Sequence, residues 1–151
     1  MDIERLKKLD RSDCPIGKSI DEIGDKWIMF ILRECFFGFR RFEDYQSILK
    51  ISRSVLTSKL KLMVERDLLK KNEYKTDNQR SRCEYTLTDK GRDLFKVLMA
   101  FFEWAHEHIL EEGQHPYYLA EKNTGEIVKL SVTKESGETI RPRDVRVKEN
   151  P

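Results

Sequence analysis

Apolar residues recur at helical spacing in the centre of the chain, between Ser52 and Asp67. Four of them fall at positions i, i+4, i+7 and i+8 and so line one side of a helix: Leu56, Leu60, Met63 and Val64. The residues away from this stripe are short, polar or basic: Arg53, Ser54, Thr57, Ser58 and Lys61. Ser52 comes directly before the pattern and is a candidate N-cap. The pattern predicts an amphipathic helix with one polar, basic face.

A second amphipathic run, FEDYQSIL, comes before this helix. Its apolar residues share one side of a helix: Phe42, Tyr45, Ile48 and Leu49. The break between the two runs, Leu49-Lys50-Ile51, is short. Two short helices joined by a tight turn predict a helix-turn-helix, whose second helix can enter the major groove of DNA.

Two predicted strands follow the second helix, from Leu68 to Lys75 and from Arg82 to Leu87. The polar loop TDNQRS joins them, so the pair forms a hairpin. A hairpin directly behind a recognition helix is a wing, and its basic residues can reach phosphates or the minor groove: Lys75, Arg80 and Arg82. The alternative is that these charges only keep an exposed hairpin soluble.

Two further helices are predicted before the helix-turn-helix. Pro15 suits a first helical position, and an apolar stripe then runs to Gly24: Ile16, Ile20 and Ile23. Asp25 is a candidate cap for the next run, KWIMFILRECFF, which is apolar on nearly every side and ends at Gly38. We expect this second helix to be the buried centre of the domain.

A long helix is predicted after the wing, beginning at Thr88. Its apolar stripe is wider than one small domain needs, which is typical of a subunit interface. The residues expected in a two-fold dimer interface are Phe101, Phe102, Trp104, Ala105 and Ile109. The alternative is that this stripe only closes the core of the monomer.

The composition changes after residue 112, where large core residues become few. Two similar turns, around Gly125 and Gly137, predict a small hairpin-rich appendage over residues 113–151, beside a DNA-binding and dimerisation domain over residues 1–112. The alternative is that this segment is a partly mobile tail. A zinc ribbon would carry cysteines at these turns, and this segment has none. Because its one histidine, His115, is isolated, we predict no metal site and no cofactor.

The chain of 151 residues is 38% hydrophobic and 37% charged, which is the composition of a highly charged globular protein. Basic residues outnumber acidic ones between Lys50 and Arg82, where a phosphate-binding surface needs them. No apolar run is long enough for a membrane span, and the first ten residues are too charged for a signal peptide, so we expect a cytoplasmic protein. No catalytic motif appears, so we do not expect an enzyme.

The three cysteines, Cys14, Cys35 and Cys83, have no metal-ligand spacing. Cys14 lies at the start of a predicted helix, where unpaired amide groups and the helix dipole favour a thiolate. Lys18 adds to this effect, whereas Asp13 opposes it. Cys14 is thus either a reactive thiol or an inert capping residue. Cys35 and Cys83 are expected to be buried and unreactive.

The sequence resembles the HxlR-type winged-helix transcriptional regulators of bacteria over about residues 12 to 112. The resemblance rests on CPIGKSIDEIGDKWIMFILRECFFGFRRFEDYQSIL, ISRSVLTSKLKLMVERDLL and EYTLTDKGRDL. It implies a homodimer that binds operator DNA near a promoter. It also implies that Cys14 aligns with a cysteine that senses electrophiles or oxidants in some members. The chain departs from the family pattern after Trp27 and at Cys83, and its tail lacks the cysteine pairs of longer members.

These patterns predict a mainly helical α+β fold: a winged helix-turn-helix with extra N-terminal helices, a long C-terminal dimerisation helix and a small β-rich tail. The favoured function is regulation of transcription through double-stranded operator DNA, with an unidentified small molecule or oxidant as effector. The alternative is a winged-helix module that docks another protein. Such a module needs an apolar or acidic outer helix face, whereas this face is polar and basic.

Overall fold

The computed structural model of the protein describes residue 7 and residues 12–74, 82–111, 113–114 and 117–146. The chain divides into two units, Met1–Phe95 and Lys96–Pro151, and each is described by itself. The described residues are mainly helical, with two small antiparallel sheets. The predicted mainly helical fold with small sheets is confirmed, whereas the dimerisation role of the C-terminal helix and the division at residue 113 stay predictions.

The helices of the first unit follow one another closely. Their bounds are α1 Pro15–Ile23, α2 Lys26–Phe36, α3 Phe42–Leu49 and α4 Arg53–Glu65. Asp25 caps α2, since its side chain accepts hydrogen bonds from the backbone N–H groups of Trp27 and Ile28. Ser52 caps α4 by accepting from the N–H of Val55 at 3.4 Å. Both predicted caps are confirmed.

The core of the first unit lies between α2, α3, α4 and the strand that follows. Its fully buried side chains are Ile28, Ile31, Leu32, Tyr45, Leu56, Leu60, Met63, Leu68 and Leu69. The predicted stripe of α4 and the predicted central position of α2 are therefore confirmed. On α1 only Ile23 is buried, while Ile16 and Ile20 are exposed, because α1 contributes only its last turn to this core.

The turn between α3 and α4 is tight. Lys50 ends α3 in the left-handed conformation, with φ at 49°. Ile51 is buried directly after it, and Ser52 then caps α4. These three residues form the tight turn that joins α3 and α4 into a helix-turn-helix.

The wing consists of β1 Leu69–Tyr74 and β2 Arg82–Leu87, in the register Leu69↔Leu87 to Tyr74↔Arg82. Arg41 forms a bridge to Glu84, and the N–H of Tyr85 donates to the Arg40 carbonyl at 2.8 Å. The segment before α3 therefore lies against β2 and ties the wing to the helix-turn-helix. The predicted loop TDNQRS lies outside the described residues.

The long helix predicted from Thr88 is interrupted, which corrects the sequence interpretation. Thr88 caps α5 Asp89–Asp93, and Leu94 closes it before α6 Phe95–His108 begins. A Cβ at Gly91 would collide with the carbonyl oxygen of Leu68, so α5 lies directly against the backbone that leads into β1.

The second unit contains the rest of α6 and the appendage. Strands β3 Val132–Thr133 and β4 Thr139–Ile140 pair in an antiparallel hairpin, and Ala120 bridges to Ile127. Gly125 and Gly137 have φ at 74° and 88°, as the two predicted turns require. None of the described helices combines the length and the apolar character that crossing a membrane requires.

Candidate nucleic-acid interface

The outer face of α4 carries the residues predicted to meet DNA bases. Arg53, Ser54, Thr57, Ser58 and Lys61 are all exposed, opposite the buried stripe of the same helix. The Thr57 hydroxyl donates to the Arg53 carbonyl at 2.8 Å, and Lys61 Nζ lies 3.5 Å from the Glu65 carboxylate. Because Lys61 and Glu65 are both well exposed, this ion pair is weak and leaves the lysine available to phosphate.

Arg53 is held at the start of α4 by an aromatic contact. Its guanidinium carbon lies 5.0 Å from the ring centroid of Phe42 on α3. A cation–π contact leaves the edge of the guanidinium free to donate, since it uses only the face. The contact thus orients Arg53 where the helix N-terminus also favours an anion.

Lys59 belongs to the same helix but takes no part in this face. Its Nζ donates to Asp25 Oδ2 at 2.6 Å, and the two side chains are only 22% and 35% exposed. Burial raises the pKa of Asp25, but the hydrogen bonds from Lys59 and from two backbone amides outweigh it, so the pKa lies below the ordinary value of 3.8. One carboxylate therefore caps α2 and fixes α4.

The basic residues predicted on the wing are described only in part. Lys75 and Arg80 lie outside the described residues, and of Arg82 only the backbone is described, paired with Tyr74. Lys70 and Lys71 on β1 are exposed. The wing contacts therefore stay predictions.

The HxlR-like helix-turn-helix family model matches residues 22–113, which is more than half of the chain. The chain belongs to this family. The match begins on α1 and continues through the wing into the helices behind it.

Similar proteins agree with the HxlR assignment. The uncharacterized HTH-type transcriptional regulator MT3179 of Mycobacterium tuberculosis is 36% identical over 111 residues, which are 74% of this chain and 69% of that protein. The crystal structure of PA1607, a candidate transcription factor, is 31% identical and covers 93% of this chain and 97% of its own, with a TM-score of 0.81. The oxidized form of the redox regulator HypR is 25% identical over 65% of this chain and its full length, with a TM-score of 0.58.

Four of the residues predicted for the dimer interface of this HxlR-like protein lie on two faces of α6, and the fifth, Ile109, directly follows the last residue of α6. Phe101, Trp104 and Ile109 are exposed, at 60%, 56% and 61%. Phe102 and Ala105 are half-buried, and the Phe102 ring stacks on Tyr117 with centroids 5.4 Å apart. The neighbouring Glu103 accepts from the N–H of Leu130 at 2.6 Å. The appendage thus covers the Phe102 face and leaves the Phe101 face open in the single chain.

The three cysteines occupy different environments. Cys14 is the N-cap residue of α1 and is half-buried. Cys35 Sγ lies 3.1 Å from the Tyr45 hydroxyl, which donates to the Phe39 carbonyl at 2.8 Å. Burial raises the pKa of the Cys35 thiol to about 11. Cys83 lies on β2, and both Cys35 and Cys83 are half-buried rather than buried as expected. The raised pKa supports an unreactive thiol at Cys35.

Two features of the interface were missed by sequence reasoning. The Asp25–Lys59 pair joins residues far apart in the chain, although Lys59 does fall three residues after Leu56 and four before Met63, on the flank of the buried stripe. The contact of Arg53 with Phe42 needs the angle between α3 and α4, which the sequence does not state.

Proposed function

We propose that the protein is a homodimeric transcriptional regulator that binds operator DNA with α4 in the major groove. The observation that carries the proposal is the exposed polar face of α4, held by the Asp25–Lys59 pair and by a fully buried inner face. Its short hydroxyl side chains and its arginine have the donors and acceptors that base edges require. Membership of the HxlR-like family supports the same function.

In this proposal the residues divide by role. Arg53, Ser54, Thr57 and Ser58 contact bases, whereas Lys61 contacts phosphate, as do Lys75, Arg80 and Arg82 of the wing. Two symmetric helices read a palindromic site with half-site centres about 34 Å apart or a multiple of this. Selection from random duplexes tests the claim. Recovery of asymmetric single half-sites only, or of no preferred sequence, would contradict it, and the latter would favour the protein-docking alternative.

Lys61 and Lys59 supply a matched pair of variants on one helix. Lys61→Met should weaken binding to selected and random duplexes alike and reduce the slope of log affinity against log salt by about one unit. Lys59→Met should leave the slope unchanged, because Lys59 Nζ is engaged by Asp25. Equal slopes for both variants would remove Lys61 from the phosphate contacts.

The proposed dimer interface is the open face of α6. Phe101→Asp or Trp104→Asp should keep the helical content but give monomers with poor DNA affinity, since an apolar interface does not tolerate an unpaired charge. Tyr118→Asp is the control, because Tyr118 is 69% exposed but belongs to the appendage. Sedimentation should find that variant dimeric. Dimeric Phe101→Asp protein would argue against this interface, and loss of its helical content would favour a role of the stripe in the monomer core.

A second function, sensing of oxidants or electrophiles at Cys14, is supported by the similarity to the redox regulator HypR. Cys14 is the N-cap of α1, next to amide groups that stabilise a thiolate. Alkylation of the folded protein at limiting reagent should label Cys14 first and change DNA affinity, and Cys14→Ser should abolish that change. Equal labelling of the three cysteines, or a response that survives the substitution, would assign Cys14 a structural role.

A further inference from the structure

A cavity of about 370 Å³ opens in the first unit. It lies between α1, Leu68 directly before β1, and the α5 region with Lys90 and Leu94. Its volume falls in the range of roughly 300–1,000 Å³ that is usual for small-molecule sites. Ile23 and Leu68 form an apolar floor and are almost fully buried, and Leu94 is half-buried beside them. The floor suits the apolar body of a ligand.

The mouth of the cavity is polar and carries more positive than negative charge. Its lining includes Lys18, Ser19 and Lys90, with Glu22 as the one acid among the lining residues. Lys18 Nζ lies 2.6 Å from Asp13, and Lys90 Nζ lies 2.5 Å from Glu22. Both ammonium groups belong to side chains at least half exposed, so water weakens these ion pairs and a second carboxylate can replace either acid.

We propose that this cavity binds a small organic anion with an apolar body, whose carboxylate pairs with Lys18 and Lys90. Ile23, Leu68 and Leu94 contact the body of the ligand. The Ser19 hydroxyl donates to the Pro15 carbonyl at 2.8 Å, so its oxygen can still accept a hydrogen bond from a water molecule that hydrates the carboxylate.

The site is linked to the end of the recognition helix, and this part of the inference rests on the proposed DNA-binding function. Arg66, the C-cap residue of α4, donates to the Glu22 carbonyl, and its Nε lies 3.7 Å from the Glu22 carboxylate. Lys90 Nζ also donates to the Arg66 carbonyl at 2.8 Å. An anion that takes Lys90 from Glu22 and Arg66 therefore breaks the hydrogen bond from Lys90 to the Arg66 carbonyl, which is one of the contacts at the end of α4.

Binding is tested without DNA, by titrating the full chain with 2-naphthoate and following the amide NMR signals. We expect a Kd of about 1 mM, because the binding free energy available to so small a ligand is limited. The changes in amide chemical shift should cluster at the lining residues of α1 and α5. Lys18→Met and Lys90→Met should each weaken binding about five-fold. Lys71→Met is the control, since Lys71 is exposed on β1 and should leave the affinity unchanged. The neutral 2-naphthalenemethanol should bind more weakly than the anion.

Four results would each overturn the site. They are NMR shifts that cluster elsewhere, equal affinity for the neutral probe, unchanged affinity in both lysine variants, and no binding at about 10 mM. The link to DNA is tested by measuring duplex affinity with and without saturating 2-naphthoate. A change that Lys90→Met abolishes supports the link, and an unchanged affinity overturns it. Absence of DNA binding without any ligand would refute the proposed function instead, while the ligand titration would stand.

Discussion

Replacing Asp25 tests the double role of one carboxylate as cap of α2 and anchor of α4. Asp25→Ala removes the hydrogen-bond acceptor for two backbone amides, which costs about 1 kcal/mol. It also removes the ion pair with Lys59. Because those side chains are 22% and 35% exposed, water screens the pair, and we assign it about 1 kcal/mol. The free energy of unfolding should fall by about 2 kcal/mol in all.

The conservative variant separates the two contributions. Asp25→Asn keeps an amide oxygen that can cap, so it should lose only the ion pair and about 1 kcal/mol. Urea unfolding of Asp25→Asn, Lys59→Met and the double variant should give a coupling energy of about 1 kcal/mol. A coupling near zero would refute the ion pair, and an equal loss in Asp25→Asn and Asp25→Ala would refute the cap.

The Asp25–Lys59 pair also makes the stability of the fold depend on pH. The pKa of Asp25 is lowered in the folded protein, so its charge stabilises the fold fully above the ordinary value of 3.8 and progressively less as the pH falls through the folded value. The difference in stability between the wild type and Asp25→Asn should therefore shrink below pH 3.8. A difference that stays constant down to about pH 2 would contradict the assigned pKa shift.

Three further predictions concern buried groups. Tyr45→Phe should lower the free energy of unfolding by about 1–2 kcal/mol, because it leaves the Phe39 carbonyl without its donor, and an unchanged urea midpoint would argue against that bond. Gly91→Ala should destabilise the fold by more than about 2 kcal/mol, because the new Cβ collides with the Leu68 backbone. Gly17→Ala should stabilise the fold by up to about 1 kcal/mol, because its Cβ has space. Thermal unfolding of both variants checks this difference. Because partial burial raises the pKa of Cys35 to about 11, alkylation of the folded protein at about pH 8 should leave this thiol largely unlabelled, and rapid labelling would contradict the raised pKa.

The sequence predicted the helix-turn-helix and wing because their signals are local. The period of Leu56, Leu60 and Met63 predicts which side of α4 is buried, and it is the side found buried. Ser52 and Asp25 are short acceptors directly before apolar runs, which is enough to predict a cap. Two short strand-forming runs on either side of the polar loop TDNQRS likewise predict a hairpin without knowledge of distant residues.

What the sequence did not predict depends on packing between distant segments. The break at Leu94 comes three residues after Gly91, which lies against the backbone of Leu68, and the sequence does not state that contact. The apolar stripe of α1 correctly predicted a helix. The exposure of Ile16 depends on which segments pack against α1, and the pattern of the stripe does not contain that information. On α6, periodicity could not separate Phe101 from Phe102, because only the appendage distinguishes their two faces.

Methylation interference on the selected duplex tests the central claim most directly. Dimethyl sulfate methylates guanine at N7 in the major groove and adenine at N3 in the minor groove, so one experiment reports both grooves. If α4 reads bases in the major groove, methylated guanines should block binding in two symmetric clusters with centres about 34 Å apart or a multiple. Interference confined to adenine N3, or absent from guanines within the selected half-sites, would contradict the assignment of α4 as the recognition helix.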